Sequence, residues 1–160
     1  MSLAAFLLQI KQYRKEIFVC CLILFLDRLT KILTLKFLFA KGSVALFPFL
    51  SFTYVENTGS AFGMFQNANL LLLIVNFIVL ALMFKWRKDI FVLGNFAKYG
   101  YLLIFAGAIG NIYDRIMLGH VVDFIDFHFW PVFNIADSAI CVGAAMIAIS
   151  ILKEKKRSNK

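Results

Sequence analysis

Hydrophobic positions gather in four long stretches separated by mixed segments. The first runs from about Ile17 to Phe39 and is interrupted by Asp27-Arg28 and Lys31. The second, Leu70 to Phe84, contains Asn76 as its one strongly polar residue and is lengthened by the flanking Lys85-Trp86. The third runs from about Tyr99 to Leu118, with Asn111, Asp114 and Arg115 near its end. The fourth, Ile135 to Leu152, carries Asp137 near its start. A spanning helix needs about 20 mostly apolar residues. The pattern therefore predicts four transmembrane helices, over approximately 17–39, 70–86, 99–118 and 135–152. Between them, Val44–Phe52 is apolar, Phe52–Glu56 alternates in character as a short strand does, and His120–His128 also suits an extended segment. Segments 40–69 and 119–134 are dense in aromatics, among them Phe47, Phe49, Phe62, Phe65, Phe124, Phe129 and Trp130. The expected fold is all-α with a small β element. It is a single integral-membrane domain, 1–160, with a strand-containing platform lying on one end of a four-helix bundle.

Composition agrees. Hydrophobic residues make up 62% of the 160, against about 45–50% in soluble domains, and charged residues 16%, against about 25%. That excludes an ordinary cytosolic domain, a disordered chain and a disulfide scaffold. The net charge of +8 opens a nucleic-acid reading, which the position of the charge closes. Twelve of the 17 Lys and Arg residues lie before the first stretch, between the second and third, or after the fourth. By the positive-inside rule both termini face the cytoplasm and the two platform segments face outward. Lys11, Arg14 and Lys15 before an apolar core also suit a signal peptide. No small-residue cleavage site follows Leu26, however, so a retained helix is expected. Cys20, Cys21 and Cys141 lie in apolar runs without metal spacing and read as buried small hydrophobes.

The chemistry lies in the polar residues that break the stretches. An ionisable group at mid-membrane costs at least about 2.5–3.5 kcal/mol on insertion scales. Yet Asp27, Arg28, Lys31, Asn111, Asp114, Arg115 and Asp137 all fall toward the outer side, and Asp123 lies on the outer segment between the last two helices. Gly107, Asn111 and Asp114 share a helix face, and Gly107 and Gly110 permit close helix approach. Asp27–Lys31 and Asp114–Arg115 read as ion pairs that build a scaffold. Asp123 and Asp137 have no cation at helical spacing. Asp126 alternates to the other face of an extended segment and reads as a rim residue. Two close carboxylates share a proton, so one can deprotonate water while the other protonates a carbonyl oxygen. Asp137 at a helix N-terminus is favoured in its charged form. A cation site in a transporter, or a structural subunit whose charges meet a partner, fits the same spacing. His120 and His128, eight residues apart, do not suggest a metal, and Ser138 reads as a helix residue rather than a nucleophile. No nucleophile elbow, P-loop or dinucleotide fingerprint occurs.

The chain resembles bacterial lipoprotein signal peptidase, or signal peptidase II. Five blocks match in order: Asp27-Arg-Leu-Thr-Lys31, Asn57-Thr-Gly59-Ser-Ala61-Phe62-Gly63, Gly107-Ala-Ile-Gly110-Asn111-Ile-Tyr-Asp114-Arg115, Gly119-His-Val121-Val122-Asp123-Phe124, and Phe133-Asn134-Ile-Ala136-Asp137-Ser138. The resemblance implies an intramembrane aspartyl endopeptidase with catalytic Asp123 and Asp137. Asp27, Lys31, Asn57, Gly59, Gly107, Asn111, Asp114, Arg115, Val121, Asn134 and Ala136 would bind substrate or support the site. The substrates implied are prolipoproteins whose lipobox cysteine carries a diacylglyceryl group, cut just before that cysteine. The family fold implies an outward β-cradle and a helical flap. No metal or organic cofactor is implied, and inhibition by globomycin is expected. The setting implied is the bacterial cytoplasmic (inner) membrane, with membrane lipids and signal peptides as partners, no nucleic acid, and a monomer holding the whole site at the outer face. Within that site Asn111 and Asn134 are expected to hold carboxylates or substrate backbone, and Arg115 to tie Asp27 or Asp114 into the scaffold.

Overall fold

A computed structural model describes residues 11–59 and 67–159. The Ser60-Ala61-Phe62-Gly63 part of the second block, and Phe65, lie outside the described residues. In chain order the elements are α1 (Arg14–Leu38), β1 (Ser43–Phe47), β2 (Leu50–Asn57), α2 (Asn69–Val92), α3 (Asn95–Met117), β3 (Val121–Asp126) and α4 (Ile135–Ser158). The protein is mostly helical with one antiparallel sheet, ordered β1-β2-β3. β3 joins β2 with Asp123 opposite Val55 and Val121 opposite Asn57. The His120–His128 expectation is thus a strand two residues shorter at its far end, closed by His128 at φ 64°.

The helices outrun the apolar stretches. α2 continues through Lys85–Val92 because Lys and Arg are good helix formers and nothing there breaks the ladder. The break comes at Gly94, with φ 101°, and α3 begins one residue later. Arg87, Lys88 and Lys98 therefore sit on helical turns rather than between the helices expected from the apolar pattern. α4 likewise runs to Ser158 and takes Lys153 to Arg157 with it. Among the described residues two helices, α2 and α4, are long and apolar enough to cross a membrane. α1 and α3, with 25 and 23 residues, match them in length but carry the polar residues of the site.

The packing is inverted relative to a water-soluble globule. Large apolar side chains such as Phe18, Phe25, Phe77 and Phe84 are exposed, and the largest fully buried side chains include Lys31, Asn134, Asp27, Asp114 and Asp123. Cys21 and Cys141 are exposed as well, which corrects the expectation that the cysteines are buried. An apolar exterior suits hydrocarbon, where large apolar side chains gain nothing by turning inward.

Helix contacts rest on missing side chains. A Cβ on Gly143 would lie 2.4 Å from the Gly100 carbonyl oxygen, and one on Gly107 would lie 2.4 Å from that of Ala136. These two sites set α3 against α4 at backbone distance. At Gly110 the space is filled instead by the Asp27 carboxylate, 2.7 Å from where a Cβ would stand. Gly143→Ala should therefore destabilise the fold by about 1–3 kcal/mol, as overpacking does. Thermal unfolding in detergent should show this, while Ala144→Val on the exposed face leaves the midpoint in place.

Candidate active site

The site starts from Lys31, whose side chain is 0% exposed in the second half of α1. Its three N–H donors meet Asp27 at 3.0 Å, Asp114 at 2.8 Å and the Asn111 amide oxygen at 3.1 Å. Arg28 pairs with Asp114 from the other side and lies over the Tyr113 ring. Two carboxylates and two cations thus form a neutral cluster. Its remaining acceptors hold backbone: Asp27 accepts from the Ala136 N–H at 3.1 Å, and Asp114 from the Val122 N–H at 3.3 Å.

Asn111 carries the orientation onward. Its oxygen faces an ammonium that can only donate, so its amide nitrogen must point the other way, and it donates to Asp137 at 2.7 Å. Asn134 is the N-cap of α4 and Asp137 its third residue. The Asn134 side chain accepts from the Asp137 N–H at 2.8 Å, and Asp137 accepts from the Asn134 N–H at 3.2 Å. This reciprocal capping box fixes Asp137 against its own helix. The Asn134 amide nitrogen then donates to Asp123 at 2.7 Å, and Asn57 donates to the other Asp123 oxygen at 2.7 Å. Asn57 is oriented in turn by the Gly59 N–H, which donates to its oxygen at 3.0 Å.

Asp123 and Asp137 are therefore neighbours, joined through Asn134, and neither takes part in an ion pair among the described residues. Burial, and next the nearby Asp137 charge, push the Asp123 carboxyl up to about 7, against hydrogen bonds from Asn57 and Asn134 that favour its charged form. Both carboxylates open onto a cavity of about 870 Å³, whose wall also includes Asn57, Gly59, Asn111, Arg115 and Val121. Behind that wall lie Asp27, Lys31, Gly107, Asp114, Asn134 and Ala136. The sequence-derived residues thus form two tiers, one facing the cavity and one fixing it. Asp126 is turned away, accepting from Thr53 at 3.1 Å, as alternation predicts.

Two readings are corrected. Asp114 does not pair with Arg115, and Arg115 does not tie Asp27 or Asp114 into the scaffold. Successive helix residues point about 100° apart, so Asp114 faces α1 while Arg115 faces the cavity and donates to the Gly59 carbonyl at 3.1 Å. The capping box adds to the expected site, and Asn134-x-x-Asp137 ahead of an apolar run is its local signal. The Arg28–Asp114 pair, 86 residues apart in sequence, has no local signal.

The model of the family described as signal peptidase (SPase) II matches residues 19–153. The chain belongs to the signal peptidase II family. It is 42% identical to a lipoprotein signal peptidase of Thermodesulfovibrio yellowstonii over 92% of this chain and 100% of that one. It is 45% identical to one of Caldanaerobacter subterraneus over 82% and 91%. A bacterial membrane enzyme solved by the in meso method at 2.3 Å superposes with a TM-score of 0.80 at 30% identity, over 89% of this chain and 90% of that one. Signal peptidase II membership makes the chain a membrane protease of lipoprotein signal peptides. In this member the Lys31 cluster underlies the whole site. Lys31→Met leaves Asp27 and Asp114 buried with one fewer cation, a change of the kind that costs about 3–5 kcal/mol. Its unfolding midpoint in detergent should fall sharply, while that of Lys41→Met, at an exposed position, should not.

Proposed function

We propose that this chain is an intramembrane aspartyl endopeptidase that cuts diacylglyceryl-modified prolipoproteins just before the lipid-modified cysteine. The observation that carries the reading is the pair Asp123 and Asp137, without a cation, joined by Asn134 at the wall of a largely apolar cavity. A cation site would spread its carboxylates around an ion. Here every carboxylate oxygen of the pair already accepts a hydrogen bond from an uncharged amide N–H.

The pair holds one shared proton. Asp137 takes a proton from water as its oxygen attacks the scissile carbonyl carbon. Asp123 gives its proton to the carbonyl oxygen, and a gem-diol forms. Collapse of the gem-diol breaks the C–N bond, and the proton returns through the pair to the leaving cysteine nitrogen. The products are a signal peptide with a free carboxyl group and a lipoprotein with a new amino terminus. No acyl-enzyme and no cofactor enter the scheme. Asn57, Asn111 and Asn134 fix the carboxylates. Arg115 holds the Asn57–Gly59 turn, and Gly107 and Ala136 set the depth of α4.

In this reading residues 1–160 form one domain whose four helices all span the bacterial inner membrane. Both termini are cytoplasmic, and the sheet is an outward β-cradle. The substrate helix and its acyl chains enter the cavity from the bilayer, and the scissile bond meets the pair at the outer face. The enzyme acts as a monomer, with membrane lipids around it, and is inhibited by globomycin. Asp123→Asn and Asp137→Asn, purified in detergent, should each lose cleavage of a diacylglyceryl prolipoprotein by at least about 100-fold, the lower range for general acid–base loss. Full cleavage by either folded variant overturns the assignment.

The raised Asp123 carboxyl sets a pH dependence. Below about 7 the pair keeps its shared proton, and above it the proton is lost. The rate at low substrate should therefore fall on the alkaline side with a midpoint near 7. Asn57→Ala removes a donor to the charged form, so its midpoint should move higher. A pH profile of kcat/KM for the two enzymes measures this.

A further inference from the structure

The cavity continues past the carboxylates between α2 and α4, where Leu72, Val75, Ile140 and Cys141 form its wall. Ile140 and Cys141 lie three and four residues along α4 from Asp137, roughly 5–6 Å further in. Asn76 stands in the same wall, on the face of α2 shared with Leu72. It lies seven residues, roughly 10 Å, inward of Asn69, whose amide reaches the Arg115 carbonyl at 3.1 Å.

Asn76 differs from the other polar side chains of the cavity. Asn57, Asn111, Arg115 and Ser138 each have a protein partner. Asn76 has none among the described residues. A polar side chain without a partner is costly in a helix of this kind, and one that faces a cavity marks the path of a substrate. The substrate brings matching groups to that depth. The last carbonyls of a helix lack intrahelical partners, and in hydrocarbon they find no water. The ester carbonyls of a diacylglyceryl group are in the same position.

We infer that Asn76 donates a hydrogen bond to a carbonyl oxygen of the substrate, on the signal-peptide backbone or on the diacylglyceryl esters, inward of the scissile bond. The inference rests on the cavity being the substrate site of the peptidase. Asn76 does not reach the reacting atoms. It binds the substrate equally before and during reaction, so its loss raises KM and leaves kcat in place.

The test is steady-state cleavage by the full chain in lipid nanodiscs. One prolipoprotein peptide carries a diacylglyceryl cysteine, and a second carries an ether-linked dialkylglyceryl cysteine without ester carbonyls. Asn76→Leu should raise KM for the diacyl peptide about 3- to 10-fold, the range for one hydrogen bond, with kcat unchanged. Asn76→Gln, which keeps the amide, should recover part of the loss. If the rise persists with the ether peptide, the partner is the peptide backbone. If wild type and Asn76→Leu become equal there, it is the ester. An unchanged KM for the diacyl peptide overturns the inference, as does a fall in kcat alone. Asp137→Asn run alongside separates the two ideas. Its loss of cleavage upholds the dyad whatever Asn76 does, and its full activity removes the dyad without altering what the Asn76 KM values say.

Discussion

The fold is organised around one ammonium group that has no water. Lys31 can be buried only because three acceptors surround it, and those acceptors come from α1 and α3. Each acceptor in turn reaches a further element. Asp27 holds the first turn of α4, Asp114 holds β3, and Asn111 holds Asp137. A single buried charge thus positions both carboxylates of the pair. Removing it would leave two anions without their shared neighbour, and no rearrangement of apolar side chains could substitute.

Much of this was legible in the sequence, for a physical reason. In a lipid-facing chain apolar residues carry little information, because most of the surface tolerates any of them. The polar interruptions are costly and therefore informative, and Asp27, Lys31, Asn111, Asp114, Asp123 and Asp137 all stood out on that ground. The strand at Leu50–Asn57 showed by the alternation over Phe52–Glu56, and Val121–Asp126 as part of a segment suited to an extended chain. Direction was harder to read. Arg115 follows Asp114 in the chain, which suggests a pair, but helix phase sends the two side chains apart. Element ends are also hard to read, because hydropathy stops at Lys85 while the backbone ladder does not. The Arg28–Asp114 contact is invisible to any local pattern.

Amides rather than charges finish the site. Asn57, Asn111 and Asn134 present both a donor and an acceptor, so each can be oriented from one side and act on the other. A cation in any of these places would pair with the carboxylates outright and hold both ionised. The asparagines fix their geometry and leave room for a shared proton. This explains why the charged Lys31 is kept one residue further back, behind Asn111.

The capping box on α4 has a mechanical consequence. Asp137 is held at both oxygens and at its own N–H, so its carboxylate turns only when the helix turns. Asp123 rides on β3, with one oxygen held by Asn57 of β2 and the other by Asn134 at the start of α4. The distance between them is therefore not a property of two rotamers. It measures how the sheet sits on the helix bundle, and a ligand that tilts one against the other changes how the pair shares its proton without touching either aspartate.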